Sequence, residues 1–144
     1  MTPTNSNSIK DLLTNAAAST PDATWLTTPE TGNRFSWADT CHRARQIACY
    51  LQGAGLTPGA SVAIASPNGA AASFAFLGTV FGGFRATPLN LVAGVKTLAF
   101  VLSHSKTELI LCADDSRQMV DDVLAALPAA PVQMPRIVSM DIDD

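Results

Sequence analysis

Charged residues are scarce in this sequence, and the basic ones do not cluster. Only 15% of the 144 residues are charged, the formal net charge is -3, and the nine lysines and arginines are scattered along the chain. Nucleic-acid-binding proteins need a concentrated cationic surface, and a peripheral membrane protein needs a polybasic or amphipathic segment. The sequence offers neither, which argues against both kinds of partner.

The sequence also lacks an uninterrupted apolar segment long enough to cross a bilayer. Residues 62–84 carry no charge, but Pro67, Asn68 and Gly69 divide them into a short strand and a short helix. Residues 1–8 are polar and contain no apolar stretch typical of a secretory signal. We therefore predict no membrane span and a cytoplasmic protein.

Paired cysteines and metal-ligand spacings are missing as well. Cys41, Cys49 and Cys112 form no CxxC pair and are odd in number. We predict that Cys41 and Cys49 lie on one helix near its apolar face as small buried residues, which fits a reducing compartment. His42 and His104 have no partner at zinc-ligand spacing, so we predict structural roles for them and no metal site.

Apolar residues, by contrast, are abundant, at 47% of the chain. Two interpretations remain open. Some apolar surface could be meant for neighbouring polypeptide, or the excess could fill an α/β core, whose buried parallel strands also consist of apolar runs.

The pattern along the chain alternates between helices and strands. Apolar residues at three- and four-residue steps predict a helix that begins at a Ser36 cap, with Asp39 at its positive end, and ends at Gly53 or Gly55. Asp114 or Asp115 is predicted to cap a later helix. The other predicted helices lie near 9–16, 70–81, 95–102 and 119–127, the strands near 62–65, 85–89, 108–112 and 137–138, with a hairpin at 23–28 and 34–36.

Strands that alternate with single helices pair in parallel. We therefore predict an α/β fold with a small parallel sheet, helices on its faces and a short N-terminal hairpin. Residues 1–8 are predicted to be a disordered tail, 9–144 one subdomain, and 128–135 an extended connector. The last strand would leave a sheet edge that needs covering, which predicts additional polypeptide.

Five segments occur in an order that resembles a known enzyme family. FSWAD at 35–39 opens the long helix, and GLTPG at 55–59 leads into the strand SVAIA at 61–65. Asn68 then precedes the apolar helix, and FGGFRATPLN at 81–90 follows it. Together they resemble the N-terminal portion of the AMP-forming, adenylate-forming superfamily of acyl-CoA synthetases, luciferases and peptide-synthetase adenylation domains. Two residues depart from the family pattern. Ala60 stands where an acidic residue is usual, and Arg85 stands where a small or apolar residue is usual.

This resemblance implies a parent enzyme that joins a carboxylate to AMP from ATP and then passes the acyl group to a thiol such as coenzyme A. It implies ATP, Mg and coenzyme A as cofactors of the parent, and the remainder of the parent polypeptide as the partner of this chain. It carries over no catalytic residue, because the family's phosphate loop and its lysines lie beyond this region. The fragment itself is expected to be inactive.

Two other interpretations remain open: a stand-alone module that binds a partner polypeptide, and a small α/β domain that binds a nucleotide at its strand ends. A homodimer through exposed apolar surface is a further possibility.

Motifs for catalysis are lacking too. The glycines at 53, 55 and 59 follow a helix and precede a strand, the reverse of a dinucleotide loop, so they are interpreted as a helix stop and a turn. Residues 103–107 contain no glycine and are interpreted as a helix end. The aspartate pairs at 114–115 and 121–122 are interpreted as capping and solvated residues.

The one weak candidate for a site is the edge of the sheet where the strands end. Ligands of open parallel sheets bind beyond the carboxyl ends of the strands. Ser66, Pro67, Asn68 and Gly69 follow one strand there and Asn90 follows the next. We favour polar turns as the explanation, and we predict no catalytic or metal-binding residue, with cofactor-binding residues unknown.

Overall fold

The computed structural model describes residues 7–128 and 133–140. They form a four-stranded parallel sheet with helices on both faces and a two-stranded antiparallel hairpin, so the predicted fold is confirmed. In chain order the elements are α1 (Ile9–Ser19), β1 (Thr24–Thr27), β2 (Arg34–Ser36), α2 (Trp37–Gly53), β3 (Ser61–Ala65), α3 (Ala70–Phe81), β4 (Arg85–Pro88), α4 (Val95–His104), β5 (Thr107–Ala113), a 3-10 turn (Asp114–Ser116), α5 (Arg117–Ala125) and β6 (Arg136–Met140).

The strands of the parallel sheet lie in the order β4-β3-β5-β6, so β3 and β5 are central. Successive residues of these strands face opposite sides of the sheet. Val62 and Ile64 pack under α2 and α3, whereas Ala63 and Ala65 pack under α4 and α5. All five residues of β3 are buried, as expected for a strand covered on both faces.

Helix α2 begins as the sequence predicts. The Ser36 side chain accepts a hydrogen bond from the Asp39 backbone N–H at 3.1 Å, and the Asp39 carboxylate accepts one from the Ser36 N–H at 2.9 Å. This reciprocal capping box satisfies two donors at the helix start. The capping box holds the pKa of Asp39 below its ordinary value, chiefly through the hydrogen bond from the Ser36 backbone and secondly through the one from the Ser36 side chain. Gly55, at φ 85°, provides the left-handed turn after the helix.

An aromatic cluster joins the hairpin to α2 and α3. The ring centroids of Phe35 and Phe74 are 5.0 Å apart in an edge-to-face arrangement, and Trp25 contacts both Phe74 and Trp37. The Arg43 guanidinium lies 5.0 and 5.1 Å from the Phe35 and Phe74 ring centroids. The Arg43 side chain thus extends from α2 over the cluster, where cation–π contact stabilises it.

Two sequence predictions are wrong. Cys49 is exposed whereas Cys41 and Cys112 are buried, because Cys49 follows the buried Ala48 by one residue and therefore lies about 100° around α2. Neither Asp114 nor Asp115 caps α5, because a 3-10 turn intervenes between β5 and the helix. The Asp114 carboxylate instead accepts a hydrogen bond from the Ser139 hydroxyl of β6.

Long-range side-chain bonds fasten the amino ends of the outer strands. Arg85 donates from Nε to the Gly59 carbonyl at 2.9 Å and from Nη2 to the Ser105 carbonyl at 3.4 Å. Arg136 donates to the carbonyl of Ala54, the C-cap residue of α2, at 2.7 Å. Arg85, which departs from the family pattern, therefore has protein partners.

The predicted domain boundaries stay predictions. Ser8, the last residue of the predicted tail, caps α1. Residues 1–6 of that tail lie outside the described part of the chain. Residues 129–132 of the predicted connector lie outside it as well. Over the described ranges 7–128 and 133–140, no helix is both long and apolar enough to span a bilayer.

Candidate functional site

The connections of the sheet define a crevice at the carboxyl ends of β3 and β5. These neighbouring strands are followed by helices on opposite faces, α3 on one and α5 on the other. The loops that leave such a strand pair diverge, and ligands of open α/β sheets bind in the gap between them. The topology therefore points to the loops at 66–69 and 113–115 as the most favourable location for a site.

The structure places a cleft of about 530 Å³ at this point, which we call the switch-point cleft. The hairpin loop covers one side of it through Thr28, Glu30 and Thr31. Its other walls come from the ends of β3, α3, β5 and β6: Ser66, Pro67, Asn68, Gly69, Ala70, Ala71, Ala113, Asp114, Asp115 and Met140.

The charge of the switch-point cleft is negative. Glu30, Asp114 and Asp115 line it, and no lysine, arginine or histidine does so among the described residues. The first turn of α3 also faces this region, and its N-cap Gly69 has no side chain with which to bond the free amides. Three carboxylates beside those amides make the cleft a poor site for another anion.

A second cleft, of about 560 Å³, lies between the ends of β3 and β4. Ser66, Pro67 and Asn68 line both clefts, whereas Asn90 lines only the second. Local bonds hold two of the candidate side chains: Ser66 Oγ donates to the Pro67 carbonyl at 3.0 Å, and Asn90 Oδ1 accepts from the Val92 N–H at 3.4 Å. Asn68 is exposed, and its side chain bonds no other described residue.

The sequence candidates are thus brought together at one edge of the sheet, but without a catalytic arrangement. Within the described residues, no three His, Cys, Asp or Glu side chains are placed to hold a metal ion. Burial raises the pKa of the Cys112 thiol, which disfavours the nucleophilic thiolate. The local bonds of Ser66 and Asn90 are typical of polar turns, the interpretation that the sequence favoured.

Sequence reasoning missed the walls that the hairpin and β6 contribute. Thr28, Glu30 and Met140 lie far from Asn68 along the chain, and only the fold brings them to the switch-point cleft. A signal for the aspartates was present, since Asp114 and Asp115 directly follow β5. Strand ends of this kind meet at one edge in any parallel sheet.

The other motifs behave as interpreted. Gly55 and Gly59 adopt positive φ in the turn between α2 and β3, and α4 ends at His104, within the segment 103–107. Asp121 forms an ion pair with Arg117 at 3.1 Å, and Asp122 accepts a hydrogen bond from Gln118, all on the exposed side of α5. Both histidines are exposed, and His104 stacks on Phe100.

Comparison with known proteins places this fold. Residues 13–143 match the family model of AMP-binding enzymes. A sulfoacetate–CoA ligase of Cupriavidus necator is 28% identical over 123 residues, which cover 85% of this chain and 24% of the ligase. An acetate/butyrate–CoA ligase of Arabidopsis thaliana is 31% identical over 90 residues, or 62% of this chain and 16% of that protein.

Solved structures agree on the fold. A fatty acyl CoA synthetase of Mycobacterium tuberculosis superposes with a TM-score of 0.82 at 23% identity, over 92% of this chain and 26% of the synthetase. The matched part of this chain therefore corresponds to 16–26% of the length of these three relatives. Because the family model matches residues 13–143, well over half of the sequence, the chain belongs to the family of AMP-binding enzymes.

Proposed function

We propose that this chain supplies the N-terminal part of an enzyme that activates a carboxylic acid as an acyl-adenylate, using ATP, and transfers the acyl group to coenzyme A. The observation that carries the proposal is the family match over residues 13–143 in a chain that spans 24% of a CoA ligase. The names of the curated relatives support coenzyme A as the acceptor. In this proposal the chain is a scaffold and does not catalyse adenylation by itself.

The charges at the strand ends support the inactivity of the chain alone. Phosphoryl chemistry needs cations and amide donors arranged around the developing negative charge. The switch-point cleft presents Glu30, Asp114 and Asp115 instead, and the second cleft has no charged lining residue. The described residues of both clefts thus offer no cation to a triphosphate, and in this proposal ATP and Mg bind to other parts of the longer enzyme.

The same negative charges argue against the alternative of a small domain that binds a nucleotide at its strand ends.

One observation favours the other alternative, a module that binds a partner polypeptide. Tyr50 is 53% exposed beside β6, whose outer edge is unpaired among the described residues. An exposed aromatic next to an open strand is typical of an interaction surface.

Carboxylate-dependent ATP–pyrophosphate exchange tests the proposal. The chain alone should catalyse no exchange, and ligand-observed NMR should detect no binding of ATP. A full-length acyl-CoA synthetase under the same conditions serves as the positive control. Exchange by residues 1–144 would overturn the scaffold role, and tight ATP binding without exchange would favour the nucleotide-binding alternative.

We also propose a cytoplasmic location. The support comes from Cys41, Cys49 and Cys112, which are all free thiols in the fold. Disulfides are the usual state of cysteines in oxidising compartments and are rare in the cytosol.

A further inference from the structure

One asparagine of this chain is followed by a glycine. The sequence has asparagines at 5, 7, 15, 33, 68 and 90, and only Asn68 precedes a glycine, Gly69. The side-chain amide of an asparagine can be attacked by the backbone nitrogen of the next residue. Glycine shields that nitrogen least, because it has no Cβ. Whether the attack takes place depends on how the fold holds the pair.

The fold leaves both reacting groups of this pair free. Asn68 and Gly69 are exposed in the turn between β3 and α3. The Asn68 side chain bonds no other described residue, and the Gly69 N–H has no acceptor in the described part of the chain. A Cβ atom built at Gly69 would meet nothing within 4 Å, so the space beside this residue is open. Neither hydrogen bonds nor packing therefore holds Cγ of Asn68 away from the nitrogen of Gly69.

Asn90 offers a comparison at the same edge of the sheet. It is exposed as well, and it lines the second cleft together with Asn68. Its Oδ1, however, accepts a hydrogen bond from the Val92 N–H at 3.4 Å, and the next residue is the bulky Leu91. Asn90 thus has a held side chain and a shielded neighbouring nitrogen, whereas Asn68 has neither.

We propose that Asn68 is a site of spontaneous modification, at which the backbone nitrogen of Gly69 attacks Cγ of Asn68. The new N–Cγ bond closes a succinimide ring, the Cγ–Nδ2 bond breaks, and the Gly69 amide proton leaves with Nδ2 as ammonia. Water then opens the ring at either of its two carbonyl carbons, which gives aspartate or isoaspartate at residue 68. Water is the only co-reactant.

The modification changes the charge of the switch-point cleft. Asn68 lines this cleft together with Glu30, Asp114 and Asp115. Its amide is neutral and has two N–H donors, whereas the carboxylate that replaces it is negative and only accepts hydrogen bonds. The modified chain therefore has a further carboxylate at a cleft that is already negative, and isoaspartate also lengthens the backbone just before α3. This inference does not depend on the proposed enzymatic role.

Peptide mass spectrometry of the folded chain tests the proposal. Trypsin cleaves after lysine and arginine, so residues 46–85 form one peptide in which Asn68 is the only asparagine. Residues 86–96 form another, in which Asn90 is the only one. After incubation at mildly alkaline pH, peptide 46–85 should gain one mass unit at residue 68 and become a substrate of an isoaspartyl methyltransferase. Peptide 86–96 should stay unchanged.

Gly69→Ala is the matched variant. The open space around Gly69 accommodates the methyl group, so circular dichroism should show the fold unchanged. The methyl group shields the backbone nitrogen, and the mass gain of peptide 46–85 should be lost over the same incubation. If Gly69→Ala fails to fold, the comparison of the two peptides in the unmodified chain decides the question.

Three results would overturn the proposal. The first is a folded chain whose peptide 46–85 gains no mass although the same peptide gains mass in urea, since the fold would then protect Asn68. The second is a mass gain that persists in folded Gly69→Ala, and the third is an equal gain in peptide 86–96.

Discussion

Gly78 of α3 lies directly against Ile47 of α2. A Cβ atom at Gly78 would come within 2.6 Å of Cγ2 of Ile47 and closer still to its Cβ. Real Cβ atoms essentially never approach another heavy atom so closely, and the Cβ of Ile47 cannot rotate away because it is fixed to the backbone. The close packing of α2 and α3, which cover one face of the sheet, therefore depends on the absence of a side chain at residue 78.

Gly78→Ala should destabilise the protein. Overpacking of this kind costs about 1–3 kcal/mol, although alanine is the better helix former. Urea unfolding followed by circular dichroism measures the change. Gly53→Ala is the control, because Gly53 ends α2 with open space around it, and this variant should be unchanged or more stable by about 0.5 kcal/mol. Equal stability of the two variants would contradict the close contact.

Ser61→Ala should stabilise the protein. The Ser61 side chain is 1% exposed, and its hydroxyl has no hydrogen-bond partner among the described residues. Removing a buried polar group of this kind should raise the free energy of unfolding by about 1 kcal/mol. Thr107→Val is the contrasting variant, because the hydroxyls of Thr107 and Ser105 are hydrogen-bonded at 2.7 Å, and it should lower stability. A loss of stability in Ser61→Ala would mean that the hydroxyl is satisfied.

Arg85→Met should lower the free energy of unfolding by about 1 kcal/mol, since it removes two hydrogen bonds from an exposed side chain. The loss should also quicken hydrogen exchange in the loops that contain Gly59 and Ser105. Arg45→Met is the matched control, because Arg45 is exposed on α2 and bonds no described residue. If both variants retained full stability, the bonds of Arg85 would not fasten these loops.

Asp39 should make stability depend on pH in the acid range. The pKa of its carboxyl is lowered in the folded state, so its contribution is fully present above the unfolded pKa and is lost as pH falls through the folded pKa. Asp39→Asn should therefore be less stable than the unmodified protein at neutral pH, and the difference should shrink on acidification. Urea unfolding at several pH values measures both effects.

Ser36→Ala removes the side-chain hydrogen bond to Asp39 but keeps the one from the backbone N–H, so it separates the two main causes of this shift. It should cost about 1 kcal/mol of stability and raise the carboxyl pKa of Asp39 only part of the way toward its ordinary value, as read by NMR titration. A complete return of the carboxyl pKa to its ordinary value in Ser36→Ala would contradict the backbone hydrogen bond as the chief cause.

Features with a local cause were predictable from the sequence. The capping pair Ser36 and Asp39 lies within one helical turn, and Gly55 acts through its own backbone angle. The parallel sheet followed from the alternation of strand and helix patterns. The cap and the turn depend on neighbours within a few residues, and each strand and helix shows its own periodicity, so periodicity and turn chemistry suffice to find them.

Features that depend on distant residues were not predictable. The order of the strands, which creates the switch-point cleft, leaves no trace in local periodicity. The contact of the Arg43 guanidinium with the rings of Phe35 and Phe74 forms only in the folded protein, because Phe74 is distant in sequence. Asp114 was predicted as a helix cap because β6, which provides Ser139, could not be placed beside it.

The central position of β3 has a consequence for how the protein is made. β3 is the first strand of the parallel sheet to leave the ribosome, and each later strand pairs with one already synthesised: β4 with β3, β5 with β3, and β6 with β5. When β4, β5 or β6 is synthesised, the strand on its inner side is therefore already present. The nascent chain can thus assemble its sheet outward in the order of translation, which limits the time that its apolar central strands spend exposed.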